Sequence, residues 1–175
     1  MKRILAPTDG SSHSRKALAF AADLAKRYDA ELLVAHVTNE TRITDDDRRL
    51  VETEYASEIG AALKRAEAQV ADSVVGLPIA TQFEYEATAT SVGRVLGEQL
   101  LKSAEDYLRE QGATRVHTVL AHGDPAKTLL SIADEDNIDL IVIASRGHGE
   151  IQALLLGSVS NKVAHMAHCP VLLVR

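Results

Sequence analysis

The stretch Ile141-Val-Ile-Ala-Ser-Arg-Gly147-His-Gly149, continued by Gly157-Ser158-Val159-Ser160 and by Cys169-Pro170-Val-Leu-Leu-Val174, carries the most information in the chain. An apolar, β-branched run stops at a glycine-rich turn. A cluster of small residues then opens a helix, and a second apolar run follows. Glycine lets backbone amides approach a ligand because no Cβ intervenes. Amides at a helix start, with the positive end of its dipole, attract phosphate. The stretch therefore reads as a phosphate cradle made of strand, loop and helix N-terminus. It is no P-loop, which requires Gly-x4-Gly-Lys-Ser/Thr. Nor is it a dinucleotide fingerprint, because Gln152 stands where the third glycine would fall. What stands out is the spacing Gly147-x9-Gly157-Ser158. The plain alternative is a pair of turn glycines and an N-cap serine.

At the other end the chain reads Lys2-Arg-Ile-Leu-Ala-Pro7-Thr8-Asp9-Gly10-Ser11. A short apolar strand stops at Pro-Thr-Asp-Gly-Ser, and Ser11 or Ser12 can cap the helix that follows. Taken together, the two motifs resemble the universal stress protein family. That family has a first strand ending in Pro-x-Asp-Gly-Ser. Its second signature is Gly-x2-Gly-x9-Gly-Ser/Thr, followed by a helix and a Pro-Val-hydrophobic strand. The likeness covers residues 1–37 and 89–175. One position departs from the pattern: Ala144 stands where the family has its first glycine. A methyl there interferes if the backbone needs positive φ or must touch a phosphate oxygen, and is tolerated at a packing point.

Between these motifs strand and helix alternate. The pattern predicts strands over 3–7, 31–37, 115–121, 139–144 and 170–174. It predicts helices over 12–28, 91–111, 124–137 and 157–167. Ala17, Leu18, Ala21, Ala22, Leu24 and Ala25 form the apolar face of the first helix. Asp124-Pro125 is an N-cap followed by proline at the first helical position, and Gly112 suits a helix stop. Such alternation means a parallel sheet with right-handed crossovers. The resemblance implies a Rossmann-like α/β fold of the adenine nucleotide alpha hydrolase type. Its sheet is open and five-stranded, in order 3-2-1-4-5, with helices on both faces. The topological switch then lies between strands 1 and 4, where ligands of such sheets bind.

Residues 1–175 are expected to form one domain carrying an extended insert at 38–90. Thr44 to Val75 reads as an extra helix, with Asp45-Asp46-Asp47 at its positive end and Leu50, Tyr55, Ile59, Leu63, Ala66 and Val70 at helical spacing. Residues 77–90 partly alternate and read as a short strand or an extended arm. The insert either packs on the sheet edge or serves as a lid or an arm toward a second subunit.

At 175 residues and 46% hydrophobic content the chain can bury a sizeable core. A formal charge of -6 argues against non-specific nucleic-acid binding. A single cysteine, Cys169, allows no intrachain disulfide and fits a cytoplasmic setting. No signal-peptide pattern and no run of membrane-spanning length is found, so no membrane partner is expected. His165, His168 and Cys169 read as a helix end rather than a zinc site.

The resemblance implies a cytoplasmic stress-response protein that binds ATP, with magnesium, as a sensor or regulator. It assigns Pro7, Thr8 and Asp9 to the first loop, with Pro7 beside the adenine and Asp9 helping to hold it. The Val37 backbone reads the edge of the base. Ala144, Arg146, Gly147, His148 and Gly149 follow the fourth strand, and Gly157, Ser158, Val159 and Ser160 open the last helix. Ser158 and Ser160 can reach phosphate oxygens or magnesium, or simply cap the helix. Asp9 can equally make an Asx turn, and Arg146 and His148 can be plain exposed loop residues. ATP pyrophosphatases share a similar sheet but carry Ser-Gly-Gly-x-Asp-Ser after the first strand, which Thr8-Asp9-Gly10-Ser11-Ser12 does not match. A slow ATPase and a nucleotide-free dimeric module remain alternatives. A homodimer is expected, because the apolar last strand lies at the sheet edge and edges are covered or paired.

Overall fold

Ile4, Leu5 and Ala6 of the first strand are wholly excluded from solvent, and the sheet is built outward from them. In the computed structural model, which describes residues 1–38, 80–147 and 156–175, five parallel strands alternate with helices. Their order along the chain is β1 (Arg3–Pro7), α1 (Ser12–Tyr28), β2 (Glu31–Thr38), α2 (Ala80–Glu110) and β3 (Val116–His122). Then come α3 (Pro125–Glu135), β4 (Leu140–Ala144), α4 (Ser158–Met166) and β5 (Val171–Val174). The sheet order is β3-β2-β1-β4-β5, as the family resemblance implies. β1 pairs with β2 from Arg3↔Glu31 to Pro7↔Ala35, and with β4 at Ile4↔Leu140 and Leu5↔Ile141.

The residues fall into two compact units, Met1–Thr38 with Gln99–Arg175, and Asn39–Glu98. In the first, strand alternation sends side chains to opposite faces. On one face Ile4, Ala6, Leu32, Val34, Val142 and Ala144 pack with Ala17, Leu18 and Ala21 of α1 and Leu101, Ala104 and Leu108 of α2. On the other, Leu5, Ala35, Ile141 and Ile143 pack with Leu129, Ile132 and Ala133 of α3 and Val163 of α4. Fully burying each large aliphatic side chain is worth about 1.5–3 kcal/mol. β4, apolar throughout, is therefore held from both sides.

The helix starts follow the local rules. Ser11 caps α1 by accepting the Ser14 amide, and Asp124 caps α3 by accepting the Lys127 amide. The latter bond holds the Asp124 carboxyl below its ordinary pKa. One prediction is corrected in the second unit: residues 80–90 are helical and belong to α2, not to a strand or arm. Their period-two pattern loses to the helix they adjoin, since extending a helix needs no new nucleus. Arg94 and Glu98 pair at 3.3 Å on the same helix. The helix predicted over 44–75 lies outside the described residues.

Candidate functional site

β1 ends at Pro7 and β4 ends at Ala144, and the two strands are neighbours. Their following loops therefore leave side by side at the switch point of the sheet. The first loop is fixed by its hydroxyls. The Ser14 hydroxyl donates to the Ser11 carbonyl oxygen at 2.9 Å. Its single proton is thus spent, so the Thr8 hydroxyl must be the donor in the 3.1 Å contact between Thr8 Oγ1 and Ser14 Oγ. Thr8 Oγ1 in turn accepts the Gly10 amide at 3.3 Å. Gly10 sits at φ 83, a region open to glycine without penalty. The chain of donors runs from Gly10 through Thr8 and Ser14 to Ser11, with both hydroxyls buried.

Asp9 makes the Asx turn: its Oδ1 accepts the Ser11 amide at 3.0 Å. Its other oxygen faces the second loop. A Cβ placed on Gly147 would lie 2.5 Å from Asp9 Oδ2, closer than any side chain permits. A side chain at 147 would thus have to displace the Asp9 carboxylate, and the two motif loops come together there.

The loop after β4 is tied to α4. The Ser145 carbonyl accepts the Gly157 amide at 2.7 Å and the Ser160 hydroxyl at 2.9 Å. The Ser160 hydroxyl also lies 3.0 Å from the Gly157 carbonyl. Ser160 is 3% exposed, so its hydroxyl acts inside the protein. Gly157 is the N-cap of α4, and the cap has no side-chain hydrogen bond. Ser158 is exposed there and Val159 half-buried.

Ala144 is a regular strand residue opposite Val174, 7% exposed and packed among apolar neighbours. It is absent from the positive-φ residues, so its methyl costs the backbone nothing. Pro7 and Thr8 are buried, while Arg146 and Gly147 are half-buried. Val37 ends the apolar part of β2 and packs on the α3 face. His148 and Gly149 lie outside the described residues. Three residues missed by the sequence reading complete the arrangement: Ser14, Ser145 and His36. Ser14 stands three residues after a predicted N-cap, and His36 is a polar residue in an apolar strand. Both were visible signals; Ser145 acts through its carbonyl, which no sequence pattern marks.

Elsewhere, Cys169 is half-buried and burial pushes its thiol pKa up, which makes it a poor nucleophile. The His165 ring bonds the Asn161 carbonyl at 2.9 Å. Among the described residues, no helix is long and apolar enough to cross a membrane.

An open parallel sheet wound on both faces, with two glycine-bearing loops meeting at its switch point, defines a Rossmann-like α/β protein. The comparisons with known proteins narrow this class. The model of the universal stress protein family matches residues 1–175. Universal stress protein YxiE of Bacillus subtilis (strain 168) is 31% identical over 173 residues, covering 99% of this chain and 98% of the relative. The structure of universal stress protein UspA from Lactobacillus plantarum is similar with a TM-score of 0.68 at 19% identity, over 99% of this chain and 97% of that one. A universal stress protein in complex with cAMP is similar with a TM-score of 0.59 at 23% identity, over 99% and 96% of the two chains. The chain belongs to the universal stress protein family.

Proposed function

We propose that this protein binds ATP, with magnesium, between the loop after β1 and the loop after β4, and acts as a cytoplasmic nucleotide-dependent sensor or regulator in a stress response. The observation that carries the reading is the contact of Asp9 with Gly147, which joins the two motif loops at the switch point. A relative of similar fold is described in complex with cAMP, which favours an adenine nucleotide. The reading takes residues 1–175 as one family domain, with the Asn39–Glu98 unit as an elaboration within it.

In this reading Pro7 and Asp9 flank the adenine and the Val37 backbone meets its edge. The site residues suit an anion: Gly147 adds no side-chain bulk, and Gly157, without a side chain of its own, starts α4 at the positive end of its dipole. Thr8 and Ser160 shape the loops from inside rather than touching the ligand. Phosphate contact then falls to the backbone of 157–160, to Ser158, and to Arg146, His148 and Gly149 on the intervening loop. Any hydrolysis is slow, because His148 is the one general-base candidate in these motifs. The assembly is a homodimer through β5, an edge strand whose Leu172 is exposed.

Denaturing the purified protein and identifying the released nucleotide by mass spectrometry tests the ligand. Calorimetry with ATP on Gly157→Val tests the site: affinity should be lost while the fold is kept, and unchanged affinity would remove the assignment. Light scattering of the wild type and of Leu172→Pro tests the dimer.

A further inference from the structure

β1 and β2 pair as far as Pro7↔Ala35, and the Thr8 amide still donates to the Ala35 carbonyl at 2.9 Å. Were the parallel ladder to continue, the Val37 amide would donate to the Thr8 carbonyl. That carbonyl is instead met by the ring of His36, whose Nδ1 lies 2.9 Å from the oxygen. A carbonyl oxygen only accepts, so Nδ1 carries the hydrogen. The half-buried His36 ring thus stands in for a main-chain donor and ends the ladder one residue early.

Two backbone consequences follow. In a parallel strand the N–H and C=O of one residue face the same neighbour, and residues two apart face the same side. The Ala35 carbonyl faces β1, so the N–H and C=O of Val37 face the side of β1 as well, just beyond its end. The peptide between Thr8 and Asp9 is planar and trans. Fixing its carbonyl on His36 turns the Asp9 N–H the opposite way.

We propose that His36 is a positioning residue of the nucleotide site. Its Nδ1–H holds the Thr8 carbonyl, keeps Val37 from closing onto β1, and so presents the Val37 backbone and Asp9 to the adenine edge. The proposal rests on the nucleotide reading above, and its test separates the two.

Long-range nitrogen–proton NMR of the wild type should show the hydrogen on Nδ1; a hydrogen on Nε2 overturns the proposal. His36→Leu removes the donor, and His36→Asn restores one near the Nδ1 position, which His36→Gln does not. ATP affinity by calorimetry should fall on the order of tenfold in His36→Leu and His36→Gln. It should return close to wild type in His36→Asn. Equal weakness of the Asn and Leu variants, or no loss in either, overturns the proposal. Exchange of the Val37 amide is read in parallel without ligand. It should slow in His36→Leu, as that amide captures the Thr8 carbonyl, and stay fast in His36→Asn. If the wild type binds no ATP, the nucleotide reading fails, and the tautomer and the Val37 exchange still decide whether His36 holds the loop.

Discussion

Where the strands begin, Arg3 lies between Glu31 at 3.2 Å and Asp136 at 3.5 Å, with all three side chains about two-fifths exposed. Asp139 beside them accepts the amides of Lys2 and Arg3. Where the strands end, the fully buried polar side chains are neutral hydroxyls. Thr8, Ser11, Ser14, Ser145 and Ser160 are each at most 6% exposed, and they are the buried polar side chains among the described residues. The chemistry differs because the tasks differ. Exposed ion pairs are screened and worth about 0–1 kcal/mol each. A buried hydroxyl must be satisfied, since an orphaned partner costs about 1–3 kcal/mol. One end of the sheet is fastened in a way that tolerates change. The other holds two loops in one arrangement, at a real cost if any link is lost.

The largest effect that sharpens this contrast is expected at the loop contact. Gly147→Val places a side chain on the Asp9 carboxylate, whose displacement strains its bond from the Ser11 amide. Overpacking of this kind costs about 1–3 kcal/mol, and ATP affinity should fall on the order of a hundredfold by calorimetry. Wild-type affinity in that variant would break the link between the contact and the ligand. Next, Thr8→Val removes the donor to Ser14 and should lower stability by about 2 kcal/mol in urea unfolding. Arg3→Gln at the opposite end should cost less than about 1 kcal/mol. Equal losses in these two variants would erase the difference between the ends. Ser160→Ala comes third, at about 1 kcal/mol, because the Ser145 carbonyl keeps the Gly157 amide as a partner.

The smallest effect is a pH dependence at the charged end. The amide of Lys2 first, then that of Arg3, holds the Asp139 carboxyl below its ordinary pKa. A carboxyl depressed in the folded state stabilises above its unfolded value of about 3.9, and loses that contribution as pH falls through the folded value. Urea midpoints of the wild type should therefore decline more steeply than those of Asp139→Asn below about pH 4. Parallel curves would show that the carboxyl carries no share of acid sensitivity.

Most of the fold was legible because its signals are local. Asp124-Pro125 starts α3, Gly112 follows the end of α2, and the apolar run into Ala144 is a central strand. The sheet order came from the resemblance, not from periodicity. Residues 80–90 were misread because Phe83, Tyr85 and their polar neighbours alternate as a strand does, while the deciding influence was the adjoining helix. The loops of the site were legible as motifs, but not the roles inside them. Ser160 looks like a ligand hydroxyl in sequence, yet its hydroxyl bonds within the protein. Its partners are the carbonyls of Ser145 and Gly157, and main-chain geometry leaves no trace in residue identity.

The Ser145 carbonyl, held at once by Gly157 and Ser160, has a consequence for how such a protein can vary. It ties the end of β4 to the start of α4, so the two anchor points Ser145 and Gly157 are fixed by their own bond. Lengthening a closed ring is thermodynamically mild, about 0.6 kcal/mol for each doubling. The clasp thus uncouples the perimeter from the frame. Insertions between Gly147 and Gly157 can therefore be accepted by the sheet at small cost.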